Sequence, residues 1–314
     1  MERSRGLFVW FLCLALLLLA FVAGQVNPLA FLLAGVLLPL PVLLAGARLG
    51  SRAALLLVLA TGLGVFSLKP GLQVILENLG FAELLLMGAV ITILQQRGVS
   101  PQRAIIITVV GLNLLVLFFF LGEAALTGTT PAALLAQKGK DLLGMLFKAV
   151  GQGEGDQAAQ WLRDFPRAEM ETLLPLIMPG AVVINSGVVA WLNVVWARQL
   201  VLQLGWGQPQ PPLFNWSVPE WLIFALLGAG FLLLVPVQTV RLVSLNLLMV
   251  LGLLYFCQGV AVIAAWFHRF GLPRFLRLAG YAMMFLNPLF LVIITLGLMD
   301  LWLDFRRLSR PKDA

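Results

Sequence analysis

Charge is scarce in this sequence, and so are the residue types from which catalytic and metal sites are usually made. Only 11% of the 314 residues are charged, with a single histidine, His268, and two cysteines, Cys13 and Cys257. Both cysteines lie inside apolar runs far apart in the chain, which gives neither a metal spacing nor a redox pair; they read as small core hydrophobes. One histidine excludes a histidine-based metal site. The sequence contains no GxxxxGK[ST], no GxSxG and no HExxH, so nucleotide hydrolysis and the common hydrolase chemistries have no carrier. The Gly-Gln-Gly-Glu-Gly run at Gly151–Gly155 imitates a phosphate loop in composition only. No strand-like run precedes it and no Lys-Ser/Thr pair follows, so it reads as a linker. No cofactor is expected and no catalytic constellation is present.

What the chain has in abundance is apolar surface: 61% of residues are hydrophobic and the mean hydropathy is +0.99. Soluble domains are roughly 45–50% apolar and about 25% charged, and a soluble fold of this size cannot hide so much leucine, valine and phenylalanine. At roughly 20 apolar residues per crossing, the chain has material for eight or nine transmembrane helices and one modest polar segment. The expected fold is an all-α polytopic membrane protein. The net charge of +7 does not point to nucleic acid, because the Lys and Arg residues sit between apolar runs, as orientation-setting loop charges do.

The apolar runs are Leu7–Ala23, Pro28–Ala47, Ala53–Leu68, Leu72–Leu94, Arg103–Glu123, Leu173–Leu204, Trp221–Val235, Leu242–Phe267 and Leu278–Trp302. The first resembles a signal peptide, but it exceeds the usual 7–15-residue core and is read as an uncleaved helix. Pro39 and Pro41 fall inside the second run and predict a kink or break. Thr127–Thr172 is the polar stretch. Thr130-Pro131 is a helix start, a capping hydroxyl followed by proline at the first helical position. Leu135, Leu142, Leu146 and Ala149 then share a face, as in a helix lying on the membrane. Asp156–Glu171, with Trp161, Leu162 and Phe165, reads as a second surface helix. The expected organisation is a six-helix membrane core over residues 1–204, carrying 127–172 as an external amphipathic insert. Residues 205–314 then supply two to three C-terminal membrane helices and a short basic tail.

With the N-terminus in the cytoplasm, short inside loops hold Arg3, Arg5, Arg48, Arg52, Arg97, Arg103, Arg198, Arg269, Arg274 and Arg277. Short outside loops hold only Lys69 and Arg241. That asymmetry satisfies the positive-inside rule and predicts an external Thr127–Thr172. Arg306, Arg307, Arg310 and Lys312 run against it if the last run crosses fully. Two readings stand open: Asn287-Pro288 breaks that run so that it kinks or re-enters, or the charge bias fails at the C-terminus. The His268–Arg277 stretch, with Phe267, Phe270 and Phe275 among its cations, is expected to lie on anionic headgroups. Trp206, Trp216 and Trp221 read as interfacial anchors, and Asp300, Asp304 and Arg307 as local ion pairing on a helix surface.

A charge at mid-span costs roughly 2.5–3.5 kcal/mol on insertion scales, so an acid there needs a reason. Glu83 sits near the middle of Leu72–Leu94. Glu77 is six residues earlier, about 240° around the helix, so the two carboxylates form no acid/base pair on one face. Asn78 and Asn113 add amides. On the sixth run, with Asn185 as zero, Asn193 falls at about 80°, Trp196 at about 20° and Gln199 at about −40°, a single stripe. Such a stripe serves either interhelical hydrogen bonding or a site. Glu83, Asn113, Asn185, Asn193 and Trp196 are the candidate ligand-binding residues: amides to orient, a carboxylate for charge, an indole for stacking. The expected ligand is a small polar or cationic solute.

Two stretches carry resemblances. Tyr255-x2-Gln258-Gly259-x-Ala261-Val262, Leu272-Pro273-Arg274-Phe275-x-Arg277 and Leu296-Gly297-x2-Asp300-x-Trp302-x-Asp304-Phe305-Arg306 resemble the YybS-like family of bacterial membrane proteins, which has no settled biochemical function. Leu38-Pro39-Leu40-Pro41-Val42-x3-Ala45-Gly46-x-Arg48-x-Gly50-x3-Ala53 resembles the second and third helices of substrate-capture subunits of energy-coupling-factor vitamin transporters. The latter resemblance implies a six-helix fold with an outward-opening solute pocket. It also departs from that family: three further runs follow, and Ala15, Ala20 and Ala23 do not keep the four-residue spacing that contacts the coupling subunit. The expectation is therefore a solute-binding or transport protein of the bacterial inner membrane, in contact with lipid and with a membrane-protein partner. A scaffold for envelope or cell-division assembly is the alternative. An intramembrane lipid-modifying enzyme lacks its residues.

Overall fold

Backbone N–H and C=O groups cannot be left unpaired in hydrocarbon, so leucine-rich runs of this length fold as helices. The computed structural model describes residues 2–26, 35–68, 79–151, 166–206, 216–284 and 288–306, which hold eleven helices and no strand. In chain order they are α1 Glu2–Val26, α2 Pro39–Leu49, α3 Ser51–Leu68, α4 Leu79–Gln96, α5 Pro101–Thr127, α6 Pro131–Gly151, α7 Arg167–Gln203, α8 Leu222–Leu233, α9 Gln238–Arg269, α10 Arg274–Met283 and α11 Leu289–Leu303.

Six of them, α1, α3, α4, α5, α7 and α9, are long and apolar enough to cross a membrane. Three apolar runs expected to cross are shorter as described. Helices α2, α8 and α11 have 11, 12 and 15 residues, or about 17, 18 and 22 Å at 1.5 Å per residue, against a hydrocarbon core of about 30 Å. Proline explains two of these lengths. Helix α2 begins at Pro39, with Pro41 also in its first turn, where a missing N–H costs nothing. The last apolar run is divided into α10 and α11, with Pro288 at the N-cap of α11; Asn287 lies outside the described residues.

The polar stretch begins as its sequence predicts. Helix α6 starts at Pro131, and the Ala133 N–H donates to Thr130 Oγ1 at 3.2 Å. The expected second surface helix differs. Residues 152–165 lie outside the described residues, and Arg167–Glu171 form the opening of the long helix α7.

The chain forms two compact units, Met1–Pro175 with Asn185–Pro209, and Leu176–Ile184 with Gln210–Ala314. In the first, Leu17, Phe21, Val42, Leu57, Phe81 and Leu85 are buried in a common core. Helices α2 and α4 cross it closely. A Cβ on Gly46 would strike Thr92, and one on Gly88 would come within 2.8 Å of the Pro39 carbonyl and Val42. The residue pairs 42–88 and 46–92 keep a constant offset, so the two helices run parallel. Gly50, at φ 93°, makes the sharp turn from α2 into α3.

Gln96 holds that turn from both sides. Its Nε2 donates to the Gly46 carbonyl at 3.0 Å, and its Oε1 accepts from the Ser51 N–H at 2.8 Å. The Gly46 carbonyl also accepts the Gly50 N–H at 2.9 Å, and Ser51 supplies one of the N–H groups that the start of a helix leaves without a backbone partner, so one amide braces the end of α2 and caps the start of α3. Gln96→Ala should therefore destabilise the protein by about 1 kcal/mol per bond lost, read as a lower thermal midpoint in detergent. Gln96→Glu, which keeps only the acceptor, should fall between.

In the second unit α9 and α11 pack backbone to backbone. A Cβ on Gly259 would strike the Ile293 carbonyl, and one on Gly297 would strike the Tyr255 carbonyl and approach Gly259 N to 2.6 Å. The pairs 259–293 and 255–297 have a constant sum, so these helices are antiparallel. Asn246 ties the Leu176–Ile184 part of α7 to α9. Its Oδ1 accepts from the Gly180 N–H, and its Nδ2 donates to the Leu176 and Leu242 carbonyls, each at 2.7 Å.

Candidate functional site

In the first unit, polar chemistry gathers where α4 meets α7. The buried residues of α7 there are Ser186, Val189, Ala190, Asn193, Val194 and Ala197, a helical face repeating every three to four residues. Ser186 Oγ donates to Glu83 Oε1 at 3.1 Å, so this carboxylate, expected near mid-span but placed in the second turn of α4, is turned onto α7. Asn193 lies two turns further, about 10 Å along the axis at 1.5 Å per residue, and is 0% exposed. Its Nδ2 donates to the Val36 carbonyl at 2.6 Å and to the Val189 carbonyl at 2.7 Å. Its Oδ1 is buried with no partner among the described residues.

The remaining candidates lie elsewhere. Asn113 is half-buried and donates to the Val109 carbonyl of its own helix at 2.8 Å. Asn185 is exposed, and Trp196 is 40% exposed. The expected stripe is thus split. The buried face of α7 is centred roughly 90° from the stripe's middle at 100° per residue, and only Asn193, at the stripe's edge, falls on it. Ser186, which meets the carboxylate, was not singled out by the sequence: a lone serine in an apolar run carries no signal. Glu77 and Asn78 lie outside the described residues.

A second polar cluster, in the second unit, is built on an ion pair. Arg306 Nε and Nη2 both donate to Asp300 Oδ2, at 2.9 and 2.6 Å, with each side chain only 2% exposed. Arg306 Nη1 donates to the Trp216 carbonyl. Gln258, also buried, donates its Nε2 to Asp300 Oδ2 at 3.1 Å and accepts the Val218 N–H at 2.8 Å. Asp300 Oδ1 is buried with no partner among the described residues, as is the hydroxyl of Tyr255, which lies on α9 one turn before Gln258. The local fold explains the pair. Asp304 ends α11 in the left-handed conformation, φ 42°, which aspartate tolerates better than most residues. That turn brings Arg306 back onto Asp300. A carboxylate in the last turn of a helix opposes the helix dipole, and the guanidinium offsets both that and its burial. The expected surface ion pairing of Asp300, Asp304 and Arg307 is corrected for Asp300, which is buried and pairs with Arg306; Arg307 lies outside the described residues.

No group of three His, Cys, Asp or Glu residues that could hold a metal occurs among the described residues. Residues 13–301 match the pattern of a family described as Predicted membrane protein (DUF2232). No curated protein and no solved structure matches the chain.

Proposed function

We propose that this chain, which belongs to the DUF2232 family of predicted membrane proteins, is a solute-binding, transport-type protein of the bacterial inner membrane with no nucleotide hydrolysis of its own. One observation carries this reading: a membrane-span carboxylate, Glu83, facing a buried helix surface that also holds the Asn193 amide oxygen, which has no partner among the described residues. An ionisable group inside a span is costly and marks a ligand or ion pathway by default. Both groups accept hydrogen bonds, since the Asn193 Nδ2 is already committed to two carbonyls. The complementary ligand is a small solute that brings donors, cationic or rich in N–H and O–H. Glu83 supplies charge, Ser186 orients its carboxylate, and Asn193 reads a donor about two helical turns away. Asn113, Asn185 and Trp196 contribute at most from the periphery. The arginine distribution supports a cytoplasmic N-terminus. The resemblance of residues 38–53 to substrate-capture subunits points the same way, although Gly46 and Gly50 of that motif also have packing and turn roles of their own.

Mass spectrometry of small molecules retained by the detergent-solubilised protein tests the reading. The wild type should retain a cationic or donor-rich solute that Glu83→Gln loses at least tenfold, with the thermal midpoint changed by no more than a few degrees. A Glu83→Gln protein that keeps the same solutes, or merely unfolds more easily with no solute lost, would make these residues interhelical ties and end the proposal.

A further inference from the structure

The division of the last apolar run leaves α10 as a separate amphipathic helix of 10 residues with no buried side chain. With Arg274 as zero, Arg277 falls at about 300° and Tyr281 at about 340°, whereas Phe275, Ala279, Ala282 and Met283 fall between about 80° and 180°. The edge carrying Gly280 and Tyr281 is held to the end of α9. Phe267 meets the Tyr281 ring edge-on at 5.4 Å between centroids, and a Cβ on Gly280 would strike the same phenylalanine. Arg277 Nε donates to the Leu272 carbonyl at 2.7 Å, which fixes its guanidinium beside the turn. The opposite side is open: Phe275 and Leu278 are each 72% exposed.

The charge around this helix is of one sign. His268, Arg269, Arg274 and Arg277 lie within ten positions, and no acidic residue occurs between Glu220 and Asp300. Arg269 and Arg274 are both exposed. A helix with an apolar face, arginines along its border and too little length to cross lies in the plane of the interface. Basic groups there draw anionic headgroups. We propose that α10, with Arg269 at the end of α9, is a docking surface for anionic phospholipids. Its apolar face sits at the acyl boundary, and Arg269, Arg274 and Arg277 engage lipid phosphates. The occupant is lipid and not a soluble acidic partner, because the cations border an apolar face that water would leave exposed. The proposal does not depend on the solute site of the first unit.

The test uses the full-length protein in nanodiscs of phosphatidylcholine with phosphatidylglycerol. Two readouts are needed. A fluorophore on Leu278→Cys, in a Cys13→Ala/Cys257→Ala background, should be quenched by a lipid-borne quencher at the acyl boundary and shielded from an aqueous one. The phosphatidylglycerol retained after gentle detergent extraction should exceed its share of the bilayer, and should fall roughly fivefold for each of Arg269→Gln, Arg274→Gln and Arg277→Gln. The matched variants Arg52→Gln and Arg103→Gln in the first unit report any general effect of lost charge. Quenching at position 278 by the aqueous quencher, or by neither, would overturn the proposal, the latter placing another protein over the face. Equal loss of phosphatidylglycerol from both sets of variants would reduce the effect to net charge and overturn it as well.

Discussion

Arg306→Ala is expected to lower stability by about 3–5 kcal/mol, the usual cost of stranding one partner of a buried ion pair. For a protein of this size that corresponds to a thermal midpoint lower by roughly 5–8 °C. Three losses coincide. Asp300 Oδ2 loses two charge-assisted hydrogen bonds, the Trp216 carbonyl loses its donor, and a carboxylate that is 2% exposed in the intact pair keeps, among the described residues, the one hydrogen bond from Gln258. Its Oδ1 already has no partner among the described residues, so nothing in that set compensates. Arg306→Lys keeps the charge but cannot reach Asp300 twice and Trp216 at once with one ammonium, so an intermediate loss is expected. Removing both charges, as Asp300→Asn with Arg306→Gln, should recover much of the deficit, because a neutral pair carries a smaller desolvation cost. Thermal unfolding of the four proteins in one detergent, at one scan rate, checks the series. A wild-type midpoint for Arg306→Ala, or a double variant less stable than the single one, would contradict it.

That pair also marks where the sequence stops being readable. Helix boundaries were legible where they rest on local chemistry: Thr130 before Pro131 gives the cap of α6, and Pro39 with Pro41 announces a kink or break in the run where α2 begins. The break at Pro288 was legible for the same reason. Asp300 and Arg306 were not, because six residues is no helical repeat. Their meeting depends on one left-handed residue, Asp304, that no pattern of polarity announces. On α7, periodicity placed Asn185, Asn193 and Trp196 on one stripe correctly as angles. Which side of the helix the neighbours cover is set by α4 and the Val36 turn, which the helix's own sequence does not contain. Glu83 was found by its cost in a span, and that reasoning needs no partner. Ser186 could be found only from its partner. The short helices α8 and α11 show the same limit from the other side: hydropathy counts apolar residues but does not fix where a helix begins and ends.

The second large effect concerns the glycines that let α9 and α11 touch. Gly297→Val should prevent the second unit from packing, because any Cβ at that position would meet the Tyr255 carbonyl and Gly259 N, both of them backbone. A side chain can rotate away from an intruding atom, but a helix backbone can yield only by moving the whole helix. That separation would loosen the contact of Asp300 with Gln258, since both lie within one turn of the crossing. Even Gly297→Ala and Gly259→Ala should lower the midpoint clearly, against the ordinary preference for alanine over glycine within helices, about 1 kcal/mol. Gly62 on α3 and Gly111 on α5 supply the contrast. A Cβ there has nothing within 4 Å among the described atoms, so alanine should be neutral or mildly stabilising at both. In lipid, where burial of apolar surface gives helices no net drive to associate, close backbone approach at small residues supplies much of the attraction. The opposite signs expected at Gly297 and Gly111, two glycines within apolar helices of one chain, therefore separate the packing role from helix propensity. Equal midpoint changes at the two positions would show that the α9–α11 contact is not held together by these glycines.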